Sequence, residues 1–495
     1  MKTFINKIVL IAIPSFLLLS CTDNFQDINT DPNRPKKITP GVMLGQMQYK
    51  MVNTTINSAY SFGHELMQYT APRNSTSGGV HRYILQPSTA TSLWNNLYSQ
   101  LTDVEDMYNI SSQLGEDNYK AISLIYKSWS YSILTDCFGD IPYSQASKAT
   151  EGVLTPAFDA QKDIYTNILA DLDRANSLLN SSKALTYGGD ILYSANSLSG
   201  ANNPGITKWK KFCNSLRLRL LLRISKRNAE INVNEQINSI LANPDKYPIF
   251  TSNADEAILK YPNTLPYYNP YFNARQSDWR ADNSYTRFFI NKLNADSDPR
   301  RTVWAYTVKV GDQQVYQGIE SGYPGSQQNI PEGNSGYNDG LKSLPQLGIM
   351  MSYAELQFIL AELALKGFNT GNTAKNHYNA GITASMIQWG VTLPTGYLAK
   401  EGIAYDEAAT PEKQLEQIML QKWLALFFTD LQAWYEKRRT GLPAMPRGSG
   451  IPAQNTFPSR ALYPTYLQSL NNDNLQKVLQ TMGGDQTTVK VWWDK

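Results

Sequence analysis

The sequence predicts a mostly α-helical protein, with tetratricopeptide-like helix pairs packed against an irregular, loop-rich region that has few short strands. Three observations carry that prediction. Apolar residues recur at three- and four-residue spacings from Val42 onward and again over 351–438, the signature of amphipathic helices. Residues 244–350 lose that period and become dense in Tyr, Pro, Gly and Asn, as in "YPNTLPYYNPYFNARQSDWRADNSY". The chain has 495 residues, 42% of them hydrophobic, enough for a large core and more than one core usually holds, so two packed subregions are expected.

Taken in order, Met1 to Lys7 carries two lysines, Ile8 to Leu19 is almost wholly apolar, and small Ser20 follows. That is the layout of a secretory signal peptide over 1–20, and the apolar run is too short to span a bilayer. Its end, Leu18-Leu19-Ser20-Cys21, resembles the lipobox of bacterial lipoproteins. The resemblance implies that Cys21 becomes the acylated first residue, held in a membrane by several acyl chains. Residues 21–39, with "NTDPNRPKK", read as a tether that has no core-facing stripe. The remaining body, 40–495, is expected to be one helical domain whose loop-rich, ligand-side region covers about 244–350.

Helical spacing then runs through "GVMLGQMQYKMVNTTINSAYSFGHELMQYT", "SLWNNLYSQLTDVEDMYNISSQ", "EDNYKAISLIYKSWSYSILTDCF", "LTPAFDAQKDIYTNILADLDRANSLL" and "TKWKKFCNSLRLRLLLRISKR". Gly139 and Pro142 separate the third of these segments from the fourth. After the irregular region, helices are predicted at 351–367, 372–389 and 411–438, the last stopped by Gly441 and Pro443, and the tail from Leu442 to Trp493 reads as irregular.

Composition argues for binding more than for catalysis: thirty tyrosines and ten tryptophans stand against three histidines. The formal charge of +3 falls by two when Lys2 and Lys7 leave with the signal peptide, so no nucleic-acid partner is implied. Once Cys21 is set aside, Cys137 and Cys213 remain, each inside an apolar helical pattern, and read as small buried hydrophobes. "HELMQ" opens like a zinc-protease helix but has Gln68 where the second histidine is required. "DINTDPN" spaces Asp27, Asn29, Asp31 and Asn33 like a calcium loop, yet Pro32 and Ile38 stand at the positions needing glycine and glutamate. No nucleophile elbow, phosphate loop or dinucleotide fingerprint is present, and no cofactor or metal is expected. Arg217, Arg219 and Arg223 on one oily helix are expected to pair with carboxylates of neighbouring helices.

Seven segments, "TDCFGDIPYS", "WKKFCNSLRLRLLLRIS", "NADSDPR", "YAELQFILAELALKG", "YNAGITASM", "QKWLALFFTDLQAWYEKRRTG" and "SRALYPTYLQSLN", stand in the order of the signature blocks of SusD/RagB-like outer-membrane lipoproteins. The chain is identified as a member of that family by resemblance, with two departures: Leu467 stands where a glutamate commonly follows the Tyr-Pro pair, and Cys137 where a larger apolar residue is usual. The resemblance implies a non-enzymatic lipoprotein, anchored through Cys21 on the outer membrane and facing the exterior. It further implies an oligosaccharide ligand, or in some members a peptide, passed to a SusC-like TonB-dependent barrel. A surface glycoside hydrolase is the less favoured alternative.

The signature blocks read as packing motifs, so ligand contacts are sought in the loops. A sugar ring presents a C–H face and a rim of hydroxyls, and is met by aromatic planes with polar groups beside them. "LPYYNPYFNARQSDWR" offers Tyr267, Tyr268, Tyr271 and Trp279 with Arg275 and Asp278, and "APRNSTSGGVHRYILQ" offers Arg73, Asn74 and Tyr83. The two loops are expected to converge on one shallow site.

Overall fold

The computed structural model describes residues 38–74, 79–197, 202–280, 283–326 and 333–495. The signal peptide, Cys21 and nearly all of the tether lie outside these residues. The body opens at α1 (Pro40–Ser58), which continues through a wider turn (Ala59–Gly63) into His64–Leu66. Next come α2 (Thr91–Leu114), α3 (Asp117–Phe138), α4 (Gln161–Leu178), α5 (Pro204–Arg223) and α6 (Val233–Ala242). Consecutive members pack side by side, α1 on α2, α2 on α3, α3 on α4 and α4 on α5, which is the paired-helix stack the spacing predicted. Gly115 closes the α2–α3 hairpin at φ +72°, a left-handed position that favours glycine. Helix α3 is buried all round, with Ile122, Ile125, Trp129, Ile133 and Cys137 fully enclosed, because neighbours cover both of its faces.

The second half adds α7 (Arg287–Asp296), α8 (Tyr353–Leu365), α9 (Ala374–Gln388), α10 (Pro411–Ala425), α11 (Gln432–Thr440) and α12 (Asn472–Met482). Helices α8, α9 and α10 pack on one another around a small apolar cluster of their own, centred on Phe358, Tyr378 and Ile418. Gly381 lets α9 approach α8, since a Cβ there would lie 2.8 Å from the Phe358 ring. Strands are short: β1 (Thr70–Pro72) pairs with β3 (Asn283–Tyr285), β2 (Ala257–Leu259) with β6 (Gly348–Met351), and β4 (Val308–Val310) with β5 (Gln313–Val315), all antiparallel.

Three expectations are corrected. The predicted helix over 411–438 is two helices, because Phe428 and Asp430 adopt φ +65° and +33° between α10 and α11. The loop-rich region contains the ten-residue α7, started by the Thr286 side chain accepting from the Phe289 N–H. The tail is not wholly irregular, since α12 buries Leu475, Val478 and Met482 along one stripe.

The three arginines of α5 pair as expected. Arg217 meets Asp173 at 2.6 Å, Arg219 meets Glu355 at 2.5 Å, and Arg223 meets Asp136 at 2.8 Å and Glu436 at 3.1 Å. Glu436 on α11 also receives Lys422 at 2.8 Å and Arg439 at 2.7 Å, and Arg439 reaches Glu362 of α8. This buried lattice ties α3, α5, α8, α10 and α11 together. Cys137 and Cys213 are buried free thiols, each pushed up to about 12 by burial, which makes them inert hydrophobes. His64, the first residue of "HELMQ", is an internal strut. Its Nδ1 lies 2.7 Å from the Tyr337 hydroxyl, and its Nε2 accepts from the Phe428 N–H at 3.3 Å.

Candidate functional site

The pairing of β1 with β3 sets Thr70 opposite Tyr285 and Pro72 opposite Asn283. The two loops singled out in the sequence therefore meet at one end of this strand pair: Arg73 and Asn74 leave β1 exposed, beside the segment ending at Arg280. The longer loop is laid along α1 by four hydrogen bonds at helical spacing. Tyr49 donates to the Tyr268 carbonyl at 2.9 Å, Asn53 accepts from the Tyr261 hydroxyl at 2.6 Å, Asn57 accepts from the Tyr271 hydroxyl at 2.9 Å, and Tyr60 donates to the Trp279 carbonyl at 2.6 Å. Positions 49, 53, 57 and 60 recur every three or four residues, so they form one stripe of the helix and its continuation.

That ladder decides what each aromatic does. Trp279, expected to offer an open plane, is 1% exposed; it stacks on Tyr60 with centroids 5.4 Å apart, and its indole N–H donates to the Asn338 carbonyl at 3.1 Å. Tyr271 is half-buried between Tyr60 and Trp279, and burial holds its phenol well above the usual range. Tyr267 packs on Tyr49 at 5.4 Å, and Tyr268 stacks on Phe272 at 5.2 Å, both half-buried. Arg275 and Asp278 form an exposed ion pair of 2.8 Å, the arginine side chain 82% open. Its hydrogen bonds hold the Asp278 carboxyl below its ordinary value. Tyr83 does not join this face. It is buried at φ +63°, edge-on to Phe457 at 5.3 Å, with the Arg447 guanidinium 5.8 Å over its ring.

The structure adds residues that the sequence did not mark. The Arg280 guanidinium lies 4.1 Å from the Tyr306 ring centre, the spacing of a cation–π contact, and bonds Asp339 at 2.8 Å. Gln276 donates to the same Asp339 carboxylate. Burial raises the Tyr306 phenol, while the charges of Arg280 and Arg73 oppose that rise, which places Arg73 in the same electrostatic neighbourhood. Tyr306 follows α7 and a further short turn, and its own surroundings in "RTVWAYTVKV" carry no motif; only the fold brings it to Arg280. The Tyr323 hydroxyl bridges the carbonyls of Pro72 at 2.8 Å and Arg73 at 3.0 Å, pinning the first loop from behind.

The result is a hydrogen-bonding cluster of Arg73, Asn74, Arg275, Gln276, Asp278, Arg280, Tyr306 and Asp339 at the β1–β3 end, with the half-buried Tyr268–Phe272 stack nearer the start of the same loop. Both of its carboxylates face guanidinium groups. Chemically, such an arrangement offers hydrogen-bond donors and acceptors to a polar ligand. Among the described residues, no group of three His, Cys, Asp or Glu side chains is placed to hold a metal ion, and no helix is long and apolar enough to cross a membrane.

If the loop is held by the α1 ladder, Asn57→Ala removes the acceptor of the half-buried Tyr271 hydroxyl and costs about 1–2 kcal/mol. Faster amide exchange over 268–280 with helix α1 itself unchanged is the expected readout; uniform exchange along the chain would speak against a local anchor.

A helical scaffold carries polar and aromatic side chains here on loops backed by a helix. Residues 32–464 match the family model described as starch-binding, associating with outer membrane, SusD-like. The chain belongs to this SusD-like family of outer-membrane nutrient-binding proteins. A SusD homologue from Bacteroides fragilis NCTC 9343 is 26% identical, with a TM-score of 0.77 over 93% of this chain and 100% of that one. A chitin-binding SusD homologue from Flavobacterium johnsoniae is likewise 26% identical, with a TM-score of 0.77 over 92% and 98%. A third, from Bacteroides uniformis ATCC 8492, is 26% identical with a TM-score of 0.77 over 93% and 100%. Among curated proteins no relative is matched.

Proposed function

We propose that this chain is a lipoprotein, anchored through Cys21 on the outer face of the outer membrane, that captures a neutral oligosaccharide on the β1–β3 face and passes it to a TonB-dependent barrel. The observation that carries the reading is the pairing of charges on that face: Arg275 with Asp278 and Arg280 with Asp339. Paired charges offer hydrogen-bonding groups without a strong field, which suits sugar hydroxyls and acetamides more than a charged chain. The chitin-binding relative makes an N-acetylglucosamine oligosaccharide the first probe. On this face Asp278, held below its ordinary value by Arg275, is ill suited to be a glycosidic general acid, which needs a raised pKa.

Isothermal titration of the mature protein with chitin and starch oligosaccharides and with mixed peptides tests the reading. Arg280→Ala combined with Tyr306→Ala is expected to weaken glycan binding at least tenfold, about 1.4 kcal/mol, with the melting transition little changed. Glycan binding that is indifferent to this pair moves the site elsewhere. Peptide binding without glycan binding favours the peptide-binding alternative. Mass analysis of the mature amino terminus tests the lipid on Cys21, and co-purification of a barrel protein tests the partner.

A further inference from the structure

Away from the loop face, a groove of about 230 Å³ lies between the start of α2, the segment 142–156 and the segment 466–471. Tyr98 and Tyr466, both half-buried, line it, and Trp94, one helical turn from Tyr98 with ring centres 4.9 Å apart, forms its buried floor. Leu154 and Leu470 border it from separate segments, 78% and 66% exposed. Single exposed leucines are ordinary, and here two from separate segments flank one groove. No charged side chain lines it. The hydroxyls of Tyr98 and Tyr466 already donate, to the Pro142 carbonyl and to Asn95 Oδ1, each at 2.6 Å. Their oxygens therefore offer further partners only acceptor lone pairs, and those suit a ligand rich in O–H donors. The volume falls below the ~300–1,000 Å³ of sites for drug-sized ligands, so it seats one ring and not a chain.

We infer that this groove is a second carbohydrate site, taking a single neutral pyranose ring with its C–H face on the Tyr466 ring and the leucines and its hydroxyls toward the Tyr98 and Tyr466 oxygens. It is independent of the loop face and goes beyond the capture reading. Methyl β-N-acetylglucosaminide is the probe, followed by saturation-transfer NMR on the full mature protein in detergent, with Arg280→Ala and Tyr306→Ala present to silence the loop face. Leu154→Asp with Leu470→Asp, both at exposed positions, is expected to weaken the remaining binding at least tenfold. Tyr466→Phe, which keeps the ring and loses the acceptor, should weaken it several-fold. Unchanged transfer in the aspartate variant, or no transfer before it is introduced, overturns the proposal. So does toluene occupying the groove where the sugar does not, which would make it an apolar docking site. Failure of the loop-face reading shows separately, as oligosaccharide binding indifferent to Arg280 and Tyr306 while the groove signal persists.

Discussion

Glu436→Gln lowers stability by about 3–5 kcal/mol, the usual cost of leaving buried charges without a partner. Glu436 is the anion shared by Arg223, Lys422 and Arg439, all of them buried, and these cations hold its carboxyl well below the ordinary range. Arg223 and Arg439 keep second partners in Asp136 and Glu362, but Lys422 bonds this carboxylate alone among the ion pairs of the described residues. Glutamine retains the shape and loses the charge, so the loss is electrostatic and not a packing defect. Guanidinium unfolding at pH 7, followed by tryptophan fluorescence, measures it. Lys413→Gln, which breaks the exposed Lys413–Glu416 pair, serves as the control and should stay within about 0.5 kcal/mol of the parent. A loss below about 1 kcal/mol for Glu436→Gln would mean that the lattice is neutral to folding.

Acid destabilises the protein through His64 before most carboxylates titrate. Burial among Tyr69, Tyr337, Phe427 and Phe428 pushes its imidazole down to about 3, and the Nε2 lone pair is already taken by the Phe428 N–H. The sign comes from linkage: the unfolded chain binds a proton at its ordinary value near 6.5 and the folded chain does not, so stability is fully present above 6.5 and is lost as pH falls toward 3. Between pH 7 and pH 4 the loss reaches about 3 kcal/mol from this residue alone. Glu65, Glu256 and Asp430, each raised by burial to about 7, act with the opposite sign and lose stability as pH rises from the ordinary carboxylate range toward 7. The comparison with His64→Gln isolates the histidine. The stability gap between parent and variant should narrow steadily from pH 7 to pH 4. A gap independent of pH would mean that His64 is not buried as a neutral ring.

The helical frame is legible in the sequence because apolar spacing survives wherever a helix packs on one or both faces. α2, α3, α4 and α5 read cleanly, and the arginine stripe of α5 reads as ion pairs, which it forms. The break between α10 and α11 is not legible: "ALFFTDLQ" keeps an apolar rhythm across Phe428 and Asp430, while the Phe428 N–H bonds His64 and the Asp430 carboxylate accepts from the Leu431 N–H and Gln432 at the turn. α12 escapes because three buried residues in a polar segment make a thin stripe. At the candidate site, the β1–β3 pairing that brings Arg73 toward the end of the longer loop rests on short strands with no clear pattern in the sequence, and which aromatics face outward is not legible. Trp279 looks like a free plane because its partners, Tyr60 and Asn338, are remote in sequence. Tyr306 and Asp339 are missed for the same reason.

The longer loop is held along two edges. Residues 261, 268, 271 and 279 bond helix positions 53, 49, 57 and 60, while Asn263, Ala274 and Gln276 between them bond Ser343, Lys342 and Asp339. What is left to vary is the outward side chains and not the length. Exchange of Arg275 and Asp278, whose exposed ion pair is with each other, alters what the face offers while both edges stay fastened.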